Sequence, residues 1–262
     1  MAPLKDWLDA DGALLRLRLA RPKANIVDAE MIAALHGALV AHGTNPLLRG
    51  VLLDHEGPQF SFGASVEEHL PAQCAQMLAS LHALIIAMVD FPAPIIVAVR
   101  GQCLGGGLEV ALAGSWIFAA PDAQFGQPEM KLGVFAPAAS VLLPYRVNQP
   151  FAEDLLYSGR SIGAAEAERK GLVHAVADDP EAAALSWFHE HLQGKSAASV
   201  AYATAAARGA LRREVRSRLA EVERELATHR APDDRAPRDP QLPKEVPQVA
   251  DIGVRQRRNL RA

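Results

Sequence analysis

The chain has 262 residues, half of them hydrophobic, only 5% aromatic, with a formal net charge of −3. That is ample apolar material for a folded core, and a near-neutral balance gives no electrostatic footprint for nucleic acid or an anionic membrane surface. Cys74 and Cys103 form neither a metal-ligand spacing nor a disulfide framework, which points to a reducing cytoplasm. The charged N-terminus (Lys5, Asp6, Asp9) has no apolar targeting segment, and the longest apolar stretch, Leu81 to Val89, is too short to span a bilayer.

In chain order, Leu14, Leu17 and Leu19 interleave with Arg16 and Arg18, the alternation of a half-exposed strand that Arg21-Pro22 ends. Asp28 is placed to cap a helix carrying Met31, Ile32, Leu35 and Leu39 at helical spacing. Gly50 to Asp54 reads as a short buried strand, followed by a loop through Gly57, Pro58 and Gly63. The spacing predicts a helix over Ala72 to Val89, then proline punctuation, then a strand at Ile95 to Val99. Ile117 to Ala119 is a further apolar run before the Pro121-Asp122 turn. Strand and helix alternate with short connections, which argues for an α/β architecture.

Beyond about Glu181 the pattern becomes helical. Leu211, Val215, Leu219, Val222 and Leu226 form one apolar stripe on a charged helix, and the stripe needs a partner from this chain or from a second subunit. Residues 231 to 262 are rich in proline and end in Arg255, Arg257, Arg258 and Arg261, the composition of an extended solvated tail or of a phosphate- or subunit-contacting one. The chain therefore divides into a core at 1–195, a helical oligomerisation region at 196–230 and a tail at 231–262.

The densest chemical signal lies between Ile95 and Leu112. A β-branched run breaks at Gly101, passes through Gly105, Gly106 and Gly107, and resumes in helix formers carrying one acid, Glu109. Strand, turn and helix start fit that order, and the turn leaves N–H groups unpaired where negative charge can be held. Nucleotide phosphates are excluded: Leu108 and Glu109 stand where a phosphate-binding loop needs Lys and Ser or Thr, and the glycines lack the dinucleotide spacing. Glu109 would also repel a pyrophosphate. An acid beside unpaired backbone donors suits chemistry at a carbonyl.

Phe62-Gly63-Ala64-Ser65 follows the Val51 strand, and Phe125-Gly126-Gln127-Pro128-Glu129 follows the Ile117 run. With Arg21-Pro22-Lys23-Ala24-Asn25, Gly159-Arg160, Ala164-Ala165 and Gly171-Leu172-Val173, the chain from about 12 to 180 resembles the crotonase (enoyl-CoA hydratase/isomerase) superfamily. The resemblance implies a crotonase fold, repeated ββα units in a spiral core followed by a helical C-terminal region. It implies an acyl-CoA thioester substrate with its carbonyl between the N–H groups of Ala64 and Gly106, an oxyanion hole for the developing enolate. Glu109 and Glu129 fall where hydratases of the family keep their catalytic pair. Glu109, in the first turn of its helix, is the better general base for water, and Glu129 the acid that handles a carbon-bound proton.

The matching CoA-binding stretch is Lys23 with the backbone of Ala24 and Ile26. After Glu129 the glycine-rich run of straight-chain hydratases is replaced by Gly133-Val134-Phe135-Ala136-Pro137, so Val134, Phe135 and Ala136 are expected to line the acyl pocket. This loop and the segment Phe60 to Pro71 look similar to hydratases of cyclohexa-1,5-diene-1-carbonyl-CoA, which add water to a conjugated cyclic thioester in aromatic compound degradation. The expected activity is that of a carbon–oxygen lyase needing no metal or redox cofactor, in a cytoplasmic homotrimer or homohexamer held by the Leu211 to Leu226 stripe. Three alternatives stand beside it: an enoyl-CoA isomerase, a ring-opening acyl-CoA hydrolase, or a non-catalytic RNA- or protein-binding relative. Cys103 reads as a small buried residue. His69 reads as a surface or satisfied histidine, and His189 and His191 as a poor metal pair.

Overall fold

The computed structural model describes residues 2–65, 74–132 and 135–229, apart from the side chains of 74, 132 and 225–229. A six-stranded sheet runs β1 (Leu4–Asp9), β2 (Leu14–Leu19), β3 (Gly50–His55), β4 (Ile95–Val99), β6 (Trp116–Ala119), β9 (Ala175–Val176). Only β1 and β2 are antiparallel; Val51 then pairs with Ile95, and Val97 with Ile117, in parallel ladders. A second sheet of three short strands joins β5 (Gln102–Leu104), β7 (Gln124–Gly126) and β8 (Ser161–Gly163).

The spiral comes from repetition of one step. The chain leaves the large sheet, passes through the small one, and then turns into a helix. β4, β5 and α3 (Gly106–Ala113) make one such turn; β6, β7 and α4 (Pro137–Leu142) make the next. Before them, β3 leads to Ser61, which bridges Cys103 beside the small sheet, and on to α2 (Cys74–Asp90). The parallel strands are buried on both faces, as a sheet covered on both sides requires: every residue of β4 and all but the last of β3 are buried.

Helix α1 (Ala29–His42) starts where expected, with the Asp28 side chain accepting from Met31 N–H at 2.9 Å. Two segments differ from the sequence reading. β1 was not anticipated. β2 is not half-exposed: Arg16 is buried, with Arg18 beside it, because both guanidinium groups bind Asp54 of β3 and Glu181 of α7 (Pro180–His191) and lie over the Trp7 ring. The face that reads as polar in sequence is closed by opposite charge. On α9 (Gly209–His229), Val215 and Leu219 of the expected stripe are each 1% exposed within the main core, where α9 packs on α2 and α4, while Leu211 and Val222 are partly buried and the side chain of Leu226 lies outside those described. Val215 and Leu219 need no second subunit.

The far end of α3 is also anchored. Arg146 donates to the Leu112 carbonyl at 3.0 Å and to that of Ser115 at 2.9 Å; Arg208, which follows α8 (Ala197–Ala207), donates to that of Ala113 at 2.8 Å. Cations at a helix C-terminus satisfy its orphan carbonyls and oppose its dipole. This fixes the helix whose first turn carries Glu109. No helix among the described residues is long and apolar enough to cross a membrane.

Candidate active site

The turn between β5 and α3 sets the site. Gly105 has φ +50°, a left-handed conformation that a side chain would strain, and its N–H donates to the Gly126 carbonyl at 3.0 Å. Gly106 then starts α3, and its N–H belongs to the first turn, which has no acceptor within the helix. Beside it runs the segment Phe60 to Ala64. Ser61 N–H donates to Gln102, Leu104 N–H donates back to Ser61, and Val27 N–H donates to Gly63, each at 2.9–3.1 Å. These bonds bring Ala64 against Gly106: a Cβ built on Gly106 would lie 3.2 Å from Ala64 N. Two backbone donors from different turns of the spiral thus border one small space.

Glu109 lies in the first turn of α3 and is 3% exposed. Its Oε1 accepts from Ala139 N–H at 2.9 Å, and the Ala138 N–H also reaches the carboxylate. Both donors are first-turn N–H groups of α4, orphaned by helix geometry and satisfied here by a carboxylate. Burial nevertheless pushes the Glu109 carboxyl up to about 7, with these two bonds opposing the shift. Glu129 lies in the first turn of the 3-10 helix Pro128–Leu132 that follows β7. Its carboxyl lies against Gly105, where an added Cβ would come within 2.5 Å of Oε1. Burial, and secondarily the charge of Glu109, raise it to about 8. Two carboxyl groups therefore share one desolvated region, where both are raised, and the two N–H bonds to Glu109 favour it as the one that carries charge.

The Lys23 to Ile26 turn is tied to this region. Phe62 N–H donates to the Ala24 carbonyl at 2.9 Å. Asn25, fully buried at φ +43°, accepts from Arg21 N–H and donates to the carbonyls of Glu56 and Gln59 at 3.1 and 2.9 Å. Lys23 is exposed. The turn thus runs beside the segment that ends at Ala64, with Ala24 bonded to Phe62 and Val27 to Gly63. Of the expected acyl-pocket residues, Ala136 is buried at the start of α4, Phe135 is 42% exposed, and Val134 lies outside the described residues. His69 also lies outside them.

Cys103 is buried and free, and its burial pushes the thiol up, as befits a packing residue. His189 pairs with Gln193, His191 packs on Trp187, and no cluster of three metal-ligating side chains occurs among the described residues. The sequence reading missed the Ala138 and Ala139 donors, which only the fold brings beside Glu109. It also missed Asn25, although an Asn in a turn, able to take φ > 0 and bond backbone, was a usable signal.

Comparison with known proteins agrees with this geometry. The family described as "Enoyl-CoA hydratase/isomerase" matches residues 9–236. A cyclohexa-1,5-dienecarbonyl-CoA hydratase from Thauera aromatica is 68% identical over 207 residues, covering 79% of this chain and 80% of that protein. A carnitinyl-CoA dehydratase from Salmonella enteritidis is 33% identical over 180 residues, 66% of this chain and 68% of its own. Among solved structures, an enoyl-CoA hydratase/isomerase from Pseudoalteromonas atlantica superposes with a TM-score of 0.78 at 28% identity, covering 88% of this chain and 93% of that one. With the spiral of ββα turns, the paired backbone donors and the two carboxyl groups, the chain belongs to the enoyl-CoA hydratase/isomerase family.

Proposed function

We propose that this protein is a hydratase that adds water to a conjugated cyclic acyl-CoA thioester of the cyclohexa-1,5-diene-1-carbonyl-CoA kind. The observation that carries the reading is the pairing of Glu109 and Glu129 in one desolvated region beside the Ala64 and Gly106 donors. The 68% identity to the Thauera hydratase supports the acyl group.

In this reading the thioester carbonyl oxygen sits between the N–H groups of Ala64 and Gly106. Ionised Glu109 takes a proton from water as the oxygen attacks the electrophilic end of the conjugated system. The electron pair moves through the chain of double bonds onto the carbonyl oxygen, and the two donors stabilise the enolate. Protonated Glu129 then delivers a proton to carbon, which restores the thioester. The hydrogen bonds suit these roles, since the Ala138 and Ala139 N–H groups favour charge on Glu109, and that charge in a desolvated site keeps the proton on Glu129. Each step is a proton transfer or a charge held by backbone dipoles, so we infer that the reaction needs no metal or redox cofactor. The phosphates of CoA would run toward Lys23 and the backbone of Ala24 and Ile26, and the ring toward Val134, Phe135 and Ala136. Family resemblance supports a cytoplasmic homotrimer or homohexamer with no nucleic-acid or membrane partner.

The test is a turnover comparison of cyclohexa-1,5-diene-1-carbonyl-CoA with crotonyl-CoA in oxygen-18 water, read by mass spectrometry. Fast incorporation of one labelled oxygen into the cyclic substrate is the expected result. Turnover of crotonyl-CoA alone would reject the cyclic assignment. Double-bond migration without label would make the protein an isomerase.

A further inference from the structure

Ser61 is fully buried in the segment that ends at Ala64. Its main chain is already paired with β5: the N–H donates to Gln102 at 2.9 Å, and the carbonyl accepts from Leu104 at 3.1 Å. The side chain makes a further bond. Its Oγ accepts from the Gly63 N–H at 3.0 Å. The same side chain packs on the first turn of α3, since a Cβ built on Gly107 would come 2.5 Å from Ser61 Cβ and 2.6 Å from Oγ. One small polar group thus stands between the backbone that carries the Ala64 donor and the helix that carries the Gly106 donor.

The bond acts on the Ala64 donor through a single residue. Gly63 has φ +112°, a conformation open to glycine, and glycine has no side chain to lock it. Its two flanking peptides are fixed by hydrogen bonds instead. The carbonyl of the peptide between Gly63 and Ala64 accepts from Val27 N–H at 2.9 Å. In a planar trans peptide the Ala64 N–H then points the opposite way, away from Val27. The N–H of the peptide before Gly63 is the group that Ser61 holds. Without the hydroxyl that N–H is left buried and unpaired, and the turn must shift to satisfy it. We propose that Ser61 is a positioning residue: by holding the Gly63 N–H, its hydroxyl oxygen aims the Ala64 N–H at the thioester oxygen. The inference rests on the reading of Ala64 and Gly106 as the donors to that oxygen. Ser61 itself acts only through the backbone.

The test is infrared difference spectroscopy of benzoyl-CoA, labelled with carbon-13 at the carbonyl and bound to the full chain. Its aromatic ring resists hydration, so the thioester is seen unreacted. Hydrogen bonds to a carbonyl lower its stretching frequency, so the wild-type band should lie below that of free benzoyl-CoA. Ser61→Ala keeps the Cβ packing and removes only the acceptor. In this variant the band should lose about half of that displacement, the share of one donor in two, with benzoyl-CoA binding within about threefold of wild type. On the cyclic dienoyl-CoA, kcat should fall about tenfold with KM little changed, less than the 10² to 10³ that follows outright removal of such a donor. A residue that merely fills space would leave the band at its wild-type position. The proposal fails if either the band or kcat of a folded Ser61→Ala matches wild type. Should Ser61→Ala not fold, Ser61→Cys, which offers the Gly63 N–H only a weak acceptor, decides by the same band. A wild-type band at the frequency of free benzoyl-CoA would instead overturn the Ala64 and Gly106 assignment, so the two failures are distinct.

Discussion

Replacing Gly106 by alanine separates folding from catalysis. Gly106 opens α3 with no left-handed strain. At a helix position alanine is favoured over glycine by up to about 1 kcal/mol, which offsets the small shift that Ala64 must make, so the variant should fold with a Tm near that of the wild type. The added methyl, however, would stand 3.1 Å from Ala64 Cβ and 3.2 Å from Ala64 N. It would fill the space where a thioester oxygen must lie within about 3 Å of both donors. The neighbouring glycine offers a contrast: a Cβ on Gly107 would meet Ser61 Cβ at 2.5 Å and disturb the packing itself. We expect kcat/KM of Gly106→Ala to fall by about 10² to 10³, on the order of 3 to 4 kcal/mol of lost transition-state stabilisation. Paired thermal melts and initial-rate assays on the cyclic dienoyl-CoA measure both quantities. A folded Gly106→Ala with wild-type kcat/KM would refute the oxyanion assignment.

The remaining predictions concern charge and packing. Catalysis needs one carboxyl ionised and its coupled partner protonated, and burial raises both, so kcat/KM should follow a bell whose two limbs belong to the pair and lie well above the usual carboxylate range; Glu129→Gln should abolish the alkaline limb of whatever rate survives. Both carboxyls hold their protons more tightly in the folded chain than at the usual 4.5, so their contribution to stability is full below pH 4.5 and is lost as pH rises through 7 to 8. Glu109→Gln should therefore raise Tm at pH 9 and leave it nearly unchanged at pH 4.5. Asn25→Gly keeps the left-handed backbone and loses the side-chain clamp, at a cost of about 2 kcal/mol, while Asn25→Ala should cost more by adding strain; urea unfolding compares the two. Leu219→Ala should cost about 3 kcal/mol at any protein concentration, because its cover comes from this chain. A cost that shrinks on dilution would place the residue in a subunit interface.

Some of this was legible in the sequence, and the reason differs from residue to residue. Strands β3, β4 and β6 are short apolar runs between turn residues, and Asp28 caps its helix, because those signals are local. The glycine turn and its acid were legible because the chemistry needs residues in consecutive order: strand, glycines, Glu109. Arg16 and Arg18 misled because their partners, Asp54 and Glu181, are remote in sequence. A polar alternation cannot reveal that its outer face is covered by opposite charge. The stripe on α9 announced that it needed a partner and could not say which. The donors to Glu109 were hidden for a related reason. Ala138 and Ala139 contribute backbone rather than side chain, so they leave no mark in composition.

The central claim is that two carboxyl groups divide one proton-transfer reaction between them. Its most direct measurement is the hydration rate of cyclohexa-1,5-diene-1-carbonyl-CoA by Glu109→Gln and by Glu129→Gln, with binding of the CoA ester measured on the same preparations. The account predicts that each variant loses at least about 10² in kcat, the usual worth of a general acid or base, while binding stays within a few-fold of wild type. Wild-type turnover in either variant would contradict it.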